Sequence, residues 1–275
     1  MLDAKSYDGR VKRIIRDHTK QTGSLKKVGL ARALSKLGFC SRSRAAELIA
    51  AGRVKWNGVV RRDSETPVHL GKDRIEIDGQ PIARRSKIYL LLNKPRGIVT
   101  TAADEKDRDT VYAFLPEGSP WLAPVGRLDK ASEGLLLLTN DSEWAARITA
   151  PETHLDKTYH VQIAAVADGK LLSALQAGIP ASDGELLRVT SVRVLRSGER
   201  NSWLKILLDE GRNRHIRRML EALNVEVLRL VRVAIGPLVL GDLAKGATRV
   251  VKPEEKQELD CAMRMAKRAP AFPAR

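Results

Sequence analysis

Gly126-Arg127-Leu128-Asp129, followed by Gly134 and the run Leu135-Leu136-Leu137-Leu138-Thr139-Asn140-Asp141, is the stretch around which the chain is organised. The leucine run is short, apolar and closed by Asn-Asp, so it reads as a buried strand. Asp129 lies in a glycine-bounded loop just before that strand, at the lip of the core. Its surroundings are set there by neighbouring groups more than by bulk water. An aspartate in such a place is ordinarily a turn residue bonded to its own backbone, so the rest of the chain must decide its role.

Working outward, Ile88–Leu92 reads as a strand, 93–97 (Asn-Lys-Pro-Arg-Gly) as a tight turn and Ile98–Thr101 as its return. Taken alone this is a hairpin with two basic tips. Thr110 caps a short helix through Val111 and Leu115, ended by Pro116. After the leucine strand, Asp141 or Ser142 caps a helix with Trp144, Ala145 and Ile148 inward. In Lys157–Ile163, Tyr159, Val161 and Ile163 share one face of a strand. Leu171, Leu172 and Leu175 form a helical stripe closed by Gly178, and strands follow near 188–195 and 203–208. Ile216, Leu220 and Leu223 then mark the buried side of a helix, with Arg214, Arg217 and Arg218 gathered on another side. Leu228–Ile235 is a strand entering a loop at Gly236. Strands interrupted by helices without a regular βαβ repeat imply an α+β fold with a mixed, mainly antiparallel sheet. The strand order stays open.

The first third of the chain differs in kind. The net charge is +16, which points to a polyanionic partner. Residues 1–87 hold 21 Lys+Arg against 9 Asp+Glu, whereas residues 88–251 hold 22 against 20. A basic docking module joined to an ordinary globular domain fits that asymmetry. Residues 1–27 show no apolar period and read as a flexible basic extension. Leu30, Leu34 and Leu37 make one helical stripe stopped by Gly38. Ser41 or Ser43 caps a second helix with Ala45, Leu48 and Ile49 facing the first. Asn57-Gly58 between Val54–Trp56 and Val59–Val60 is a hairpin signal, because both positions tolerate positive φ. The expected organisation is an extension over 1–27, a small helix–helix–hairpin domain over 28–78, a linker over 79–87, a main domain over 88–251 and a basic, frayed tail over 252–275.

Cys40 and Cys261 are far apart and lack neighbours at metal-ligand spacing, which suits a reduced, cytoplasmic chain. No apolar run approaches the length of a membrane span. The five histidines are scattered, so no metal is expected, and neither a phosphate-cradling loop nor a dinucleotide fingerprint is present.

Several blocks, in order, resemble the RsuA/RluB family of ribosomal RNA pseudouridine synthases. GRLD-x4-GLLLLTND (126–141) is similar to the family's catalytic motif, LLNKPRG (91–97) to its entrance block and KTYHV (157–161) to its tyrosine motif. EGRNRHIRRM (210–219) is similar to its arginine motif, with His215 where glutamine is usual. SRSRAAELIAAGRVKWNG (41–58) resembles the small RNA-binding domain named after ribosomal protein S four. The resemblance implies Asp129 as the catalytic carboxylate, Tyr159 against the target base, Arg217 facing the aspartate and Leu230 as an apolar wall of the uridine pocket. Arg127 and Arg214 are expected to contact substrate, and Arg32, Arg42, Arg44 and Lys55 to grip the RNA backbone. His215 is expected to be an RNA contact or a support residue.

The activity so implied is isomerisation of a uridine to pseudouridine, which needs no cofactor because nothing but the glycosidic connection changes. The partner implied is ribosomal RNA or an assembling ribosomal subunit, with no membrane, and the chain is expected to act as a monomer. The small RNA-binding domain and residues 100–116 resemble members acting on large-subunit RNA. A small-subunit target and a non-catalytic RNA-binding assembly factor are the rival readings.

Overall fold

The computed structural model describes residues 27–101, 109–181 and 183–266. The basic extension, the middle of the 100–116 segment and the end of the tail lie outside them. Contacts divide the described residues into two compact units, one holding 27–35 and 42–83 and the other 36–41 and 84–266.

In the first unit, β1 (Val28–Gly29) pairs with β4 (Pro67–Val68), and α1 (Leu30–Lys36) and α2 (Arg42–Ala50) follow β1. Leu30, Leu34, Ala45, Leu48 and Ile49 are buried, as their spacing predicts, whereas Leu37, expected to complete the first stripe, lies past the helix end and is half-buried. A four-stranded sheet in the order β3-β2-β5-β6 completes the unit, from β2 (Val54–Trp56), β3 (Val59–Val60), β5 (Ile75–Ile77) and β6 (Gln80–Pro81). Asn57 and Gly58 have φ of 49° and 82°, so the β2–β3 turn has the twist that a two-residue hairpin requires. The stretch read as a linker begins as β6, antiparallel to β5. Pro81 fits there because an edge strand needs no donor on its open side.

The second unit is built on one sheet in the order β13-β14-β10-β15-β9-β7-β17. Its strands are β7 (Tyr89–Lys94), β9 (Glu133–Thr139), β10 (Lys157–Ile163), β13 (Ser191–Ser197), β14 (Ser202–Leu208), β15 (Val227–Ile235) and β17 (Thr248–Val250). Short β8 (Ala123–Pro124) pairs with β9, β16 (Leu238–Val239) pairs with β15, and β11 (Ile179–Pro180) pairs with β12 (Leu186–Leu187). Every pairing in the large sheet is antiparallel except β15 with β9. The leucine run sits centrally, with all four leucines inaccessible. Leu136 and Leu138 join the core that holds Tyr159, Val161, Ile163 and Ile216, whereas Leu135 and Leu137 join a second core on the opposite face. Helices α3 (Ser142–Thr149), α4 (Gly169–Ala177) and α5 (His215–Ala222) cover these cores, and Asp141 caps α3 by accepting from the Trp144 amide at 3.2 Å.

Three expectations are corrected. Asn93 and Lys94 belong to β7 instead of a turn, and Ile98–Thr101 does not return as a strand. Only a parallel bridge from Val99 to Thr110 forms there. The segment after 252 is not frayed through its first half, because Pro253–Ala266 forms a 14-residue helix, α6. Leu259 and Met263, one turn apart, are buried in the second core, and Asp260 accepts from the Trp144 indole at 3.0 Å. Charged residues on the other faces concealed this apolar stripe. Truncating Leu259 to alanine is expected to lower the unfolding free energy by about 2–4 kcal/mol, the usual cost of a buried leucine, measured by urea denaturation. A frayed segment would give no change.

Candidate active site

The loop after β8, 125–132, is held from below by Lys94. Its ammonium has no accessible surface and donates to the carbonyls of Pro95, Asp129 and Ser132 at 3.0, 3.2 and 2.9 Å. The Ser132 amide closes the turn by donating to the Asp129 carbonyl at 2.9 Å. From the side, the Gly97 amide donates to the Lys130 carbonyl at 2.7 Å and the Thr100 hydroxyl to the Leu128 carbonyl at 2.8 Å. Both main-chain ends of Asp129 are thus fixed, while its carboxylate is left to the cavity.

That cavity, ≈ 330 Å³, opens at the ends of β9, β10 and β15 and at the start of α5. It is lined by Arg127, Asp129, Tyr159, Arg214, Arg217 and Leu230 among others. Six of the residues singled out in the sequence are therefore brought to one place. Tyr159 lies directly across from Arg232 in the β10–β15 pair, and Val161 across from Leu230. Arg217 reaches the aspartate loop from α5, donating to the Ala131 carbonyl at 3.0 Å. Its guanidinium is pushed below its ordinary pKa by burial, and the charge of Asp129 opposes that shift. Arg214, in the left-handed region with φ 50°, precedes α5 on the cavity side. Arg218 does not join them. It pairs with Asp183 and Glu185 at 2.6 and 2.8 Å, so the expected gathering of three arginines is reduced to two.

His215 is buried at the cavity wall, its Nε2 3.0 Å from the Arg188 carbonyl. Desolvation pushes the imidazole pKa down, and the ring supports the turn into α5. Arg32, Arg42, Arg44 and Lys55 are exposed on the first unit, and Arg44 pairs with Glu47 at 2.7 Å.

Three residues of the site were not found by sequence reasoning. Lys94 is one, and Lys157 and Arg232 are the others, both lining the cavity. Arg232 is 6 % exposed, donates to the Leu135 carbonyl at 2.8 Å and leaves Nη2 without a partner. Lys157 has its pKa lowered by burial and then by Arg232. A signal existed for Lys94. It falls in phase with Leu90 and Leu92, on the core side of a strand, where a lysine must find acceptors.

The Lys94 environment makes a pH prediction. Burial pushes its pKa down to about 8, against the opposing charges of Asp129 and Glu133. The unfolded value is 10.5, so between these limits the unfolded chain binds more protons and stability rises with pH. The cost of the buried charge is full below pH 8 and is lost above 10.5. Relative to Lys94→Met, the wild type is expected to gain stability from pH 8 to 10, read from urea midpoints. A pH-independent gap would refute the assignment.

One cavity of a mainly antiparallel sheet thus gathers a carboxylate, a tyrosine and an arginine, in a chain that also carries a separate small unit with exposed basic residues. Comparisons with known proteins identify the family. A family described as RNA pseudouridylate synthase matches residues 88–222, and the S4 domain family matches 28–82. Ribosomal large subunit pseudouridine synthase B of Bacillus subtilis is 36% identical over 231 residues, covering 84% of this chain and 94% of that protein. An uncharacterized RNA pseudouridine synthase of Aquifex aeolicus is 38% identical, covering 84% and 93%. A crystal structure of a pseudouridylate synthase superimposes with a TM-score of 0.59 at 30% identity, covering 84% of this chain and 99% of that one. The chain belongs to the RsuA/RluB family of pseudouridine synthases and is an enzyme acting on RNA. No described helix is long and apolar enough to cross a membrane.

Proposed function

We propose that the enzyme converts a specific uridine of large-subunit ribosomal RNA to pseudouridine, with Asp129 as the carboxylate that acts at the ribose. The observation that carries this reading is the convergence of Asp129, Tyr159, Arg217 and Leu230, from four separate segments, on one cavity. The large-subunit target is supported by the Bacillus subtilis relative, a ribosomal large subunit pseudouridine synthase.

In the reaction the bond from uracil N1 to ribose C1′ breaks, the uracil turns in place, and C5 joins C1′ with loss of the C5 proton and protonation of N1. Asp129 acts as an anion, by attacking C1′ or by removing a ribose proton. Arg217 shares the cavity with it and holds its loop through the Ala131 carbonyl. Tyr159 packs against the base and assists departure of the C5 proton, and Leu230 walls the pocket so that the detached uracil stays. The uridine must leave its stack to reach the cavity, at a cost of a few kcal/mol. Arg127 and Arg214 at the cavity, and Arg32, Arg42, Arg44 and Lys55 of a domain over 28–78, offset this by binding the flanking backbone. The enzyme acts as a cytoplasmic monomer on ribosomal RNA or on an assembling subunit.

Tritium release from C5-labelled transcripts of both ribosomal RNAs tests the reading. Release from large-subunit RNA alone is expected. Release from small-subunit RNA alone would overturn the target. Tight RNA binding without release, on transcripts and on assembling subunits, would establish a non-catalytic assembly factor.

A further inference from the structure

Strands β14 and β10 alternate between buried and partly open residues, and β13 and β15 flank them in the sheet. Tyr159, Val161, Ile163, Leu204, Ile206 and Leu230 are buried on one face, while the residues between them are partly or fully open to solvent. Such a sheet has one solvated face, and its side chains here are unusual. The four strands hold no Asp or Glu, and five of their cationic or imidazole side chains, His160, Arg193, Arg196, Lys205 and Arg229, share this face, while Lys157 and Arg232 line the cavity on the other. The pairing aligns the exposed ones in rows. Arg193 lies opposite Lys205, and Lys205 opposite His160. In the next row Arg196 lies opposite Trp203, Trp203 opposite Gln162, and Gln162 opposite Arg229.

Trp203 is half-buried between two guanidinium groups, Arg196 at 5.3 Å and Arg229 at 5.6 Å from its ring centre. Arg229 is neutralised by Glu133, at 3.0 Å from both carboxylate oxygens. No ion pair is made by Arg193, Arg196 or Lys205 among the described residues. His160, pressed by burial and by Lys205 and Arg193, has its pKa lowered, as expected where cations gather without anions. Holding like charges together on a sheet costs free energy, which a polyanion laid across the face would recover.

From this face we infer a second RNA-contacting surface, separate from the cavity, in which Arg193, Arg196 and Lys205 bind phosphates and Trp203 stacks on an unpaired base. The combination of a basic track with an aromatic platform suits single-stranded RNA. An acidic protein would use the charges but not the indole. The inference goes beyond the proposed reaction and rests only on RNA as the substrate.

The test is binding of full-length enzyme to a large-subunit RNA transcript across a salt series. For Arg193→Gln with Lys205→Gln, the slope of log affinity against log salt is expected to shrink by about 2. Affinity should fall about tenfold near 0.15 M salt, with the single-turnover rate at saturating RNA and the melting temperature unchanged. Trp203→Ala is expected to weaken binding about tenfold, and Trp203→Phe, which keeps a stacking ring, by less than twofold. Unchanged slope and affinity in the folded double variant would overturn the inference. A reduced slope with no tritium release by any form would sustain this surface while removing the proposed reaction.

Discussion

Asp129→Asn is expected to abolish tritium release, lowering the rate by roughly 10⁴-fold or more, the scale seen when a reacting group is removed. The reason lies in how the loop is held. The Asp129 main chain is fixed by Lys94 and Ser132 through its carbonyl, and asparagine leaves those bonds intact. The side chain keeps its volume and loses only its charge and nucleophilicity. RNA affinity should therefore change by less than about threefold, and the melting temperature should stay within a degree or two. Single-turnover tritium release alongside filter binding separates the two effects. A variant that still releases tritium within tenfold of wild type would remove Asp129 from the chemistry. One that loses binding in proportion would make it an RNA contact.

The second large effect is expected at Gly134. Its φ of +102° lies in the left-handed region, and an added Cβ would stand 2.3 Å from the Arg232 carbonyl oxygen. That oxygen belongs to the backbone of β15, which pairs in parallel with β9 at this residue. It cannot move aside without opening the only parallel pairing in the large sheet among the described residues. Gly134→Ala is expected to cost about 3–5 kcal/mol, combining backbone strain with overpacking. The urea midpoint should fall accordingly, and tritium release should fall with it, because this junction aligns the Asp129 loop with Arg232 and Leu230. Gly169→Ala provides the control, since nothing lies within 4 Å of a Cβ there, and it should be neutral. Equal stability of the two variants would show that the β9–β15 junction is not the constraint described.

Much of the architecture was legible locally. The leucine run, the caps at Thr110 and Asp141, the Asn57-Gly58 turn and the alternation in Lys157–Ile163 each follow from contacts within a few residues. Periodicity and turn chemistry report such contacts directly. The residues proposed for catalysis were legible for a different reason, since resemblance to a known family singled out Asp129, Tyr159 and Arg217, which the fold brings to one cavity.

The tertiary structure decided what depends on partners far along the chain. Lys94 looked like the tip of a turn because two of its three acceptors, Asp129 and Ser132, lie more than thirty residues away. The frayed-tail reading of 252–275 failed over Pro253–Ala266 because the helix is stabilised by a core it shares with α3, β15 and β16, not by its own mixed sequence. Nothing in the spacing of Arg214, Arg217 and Arg218 could separate them. Asp183 and Glu185 captured the last, and the aspartate loop the second. The parallel join of β9 to β15 is likewise a long-range choice, made where only a glycine lets two backbones approach so closely. Local sequence thus determined most of the elements. Burial and long-range pairing decided which charges face the cavity, which are neutralised, and which stay open to solvent.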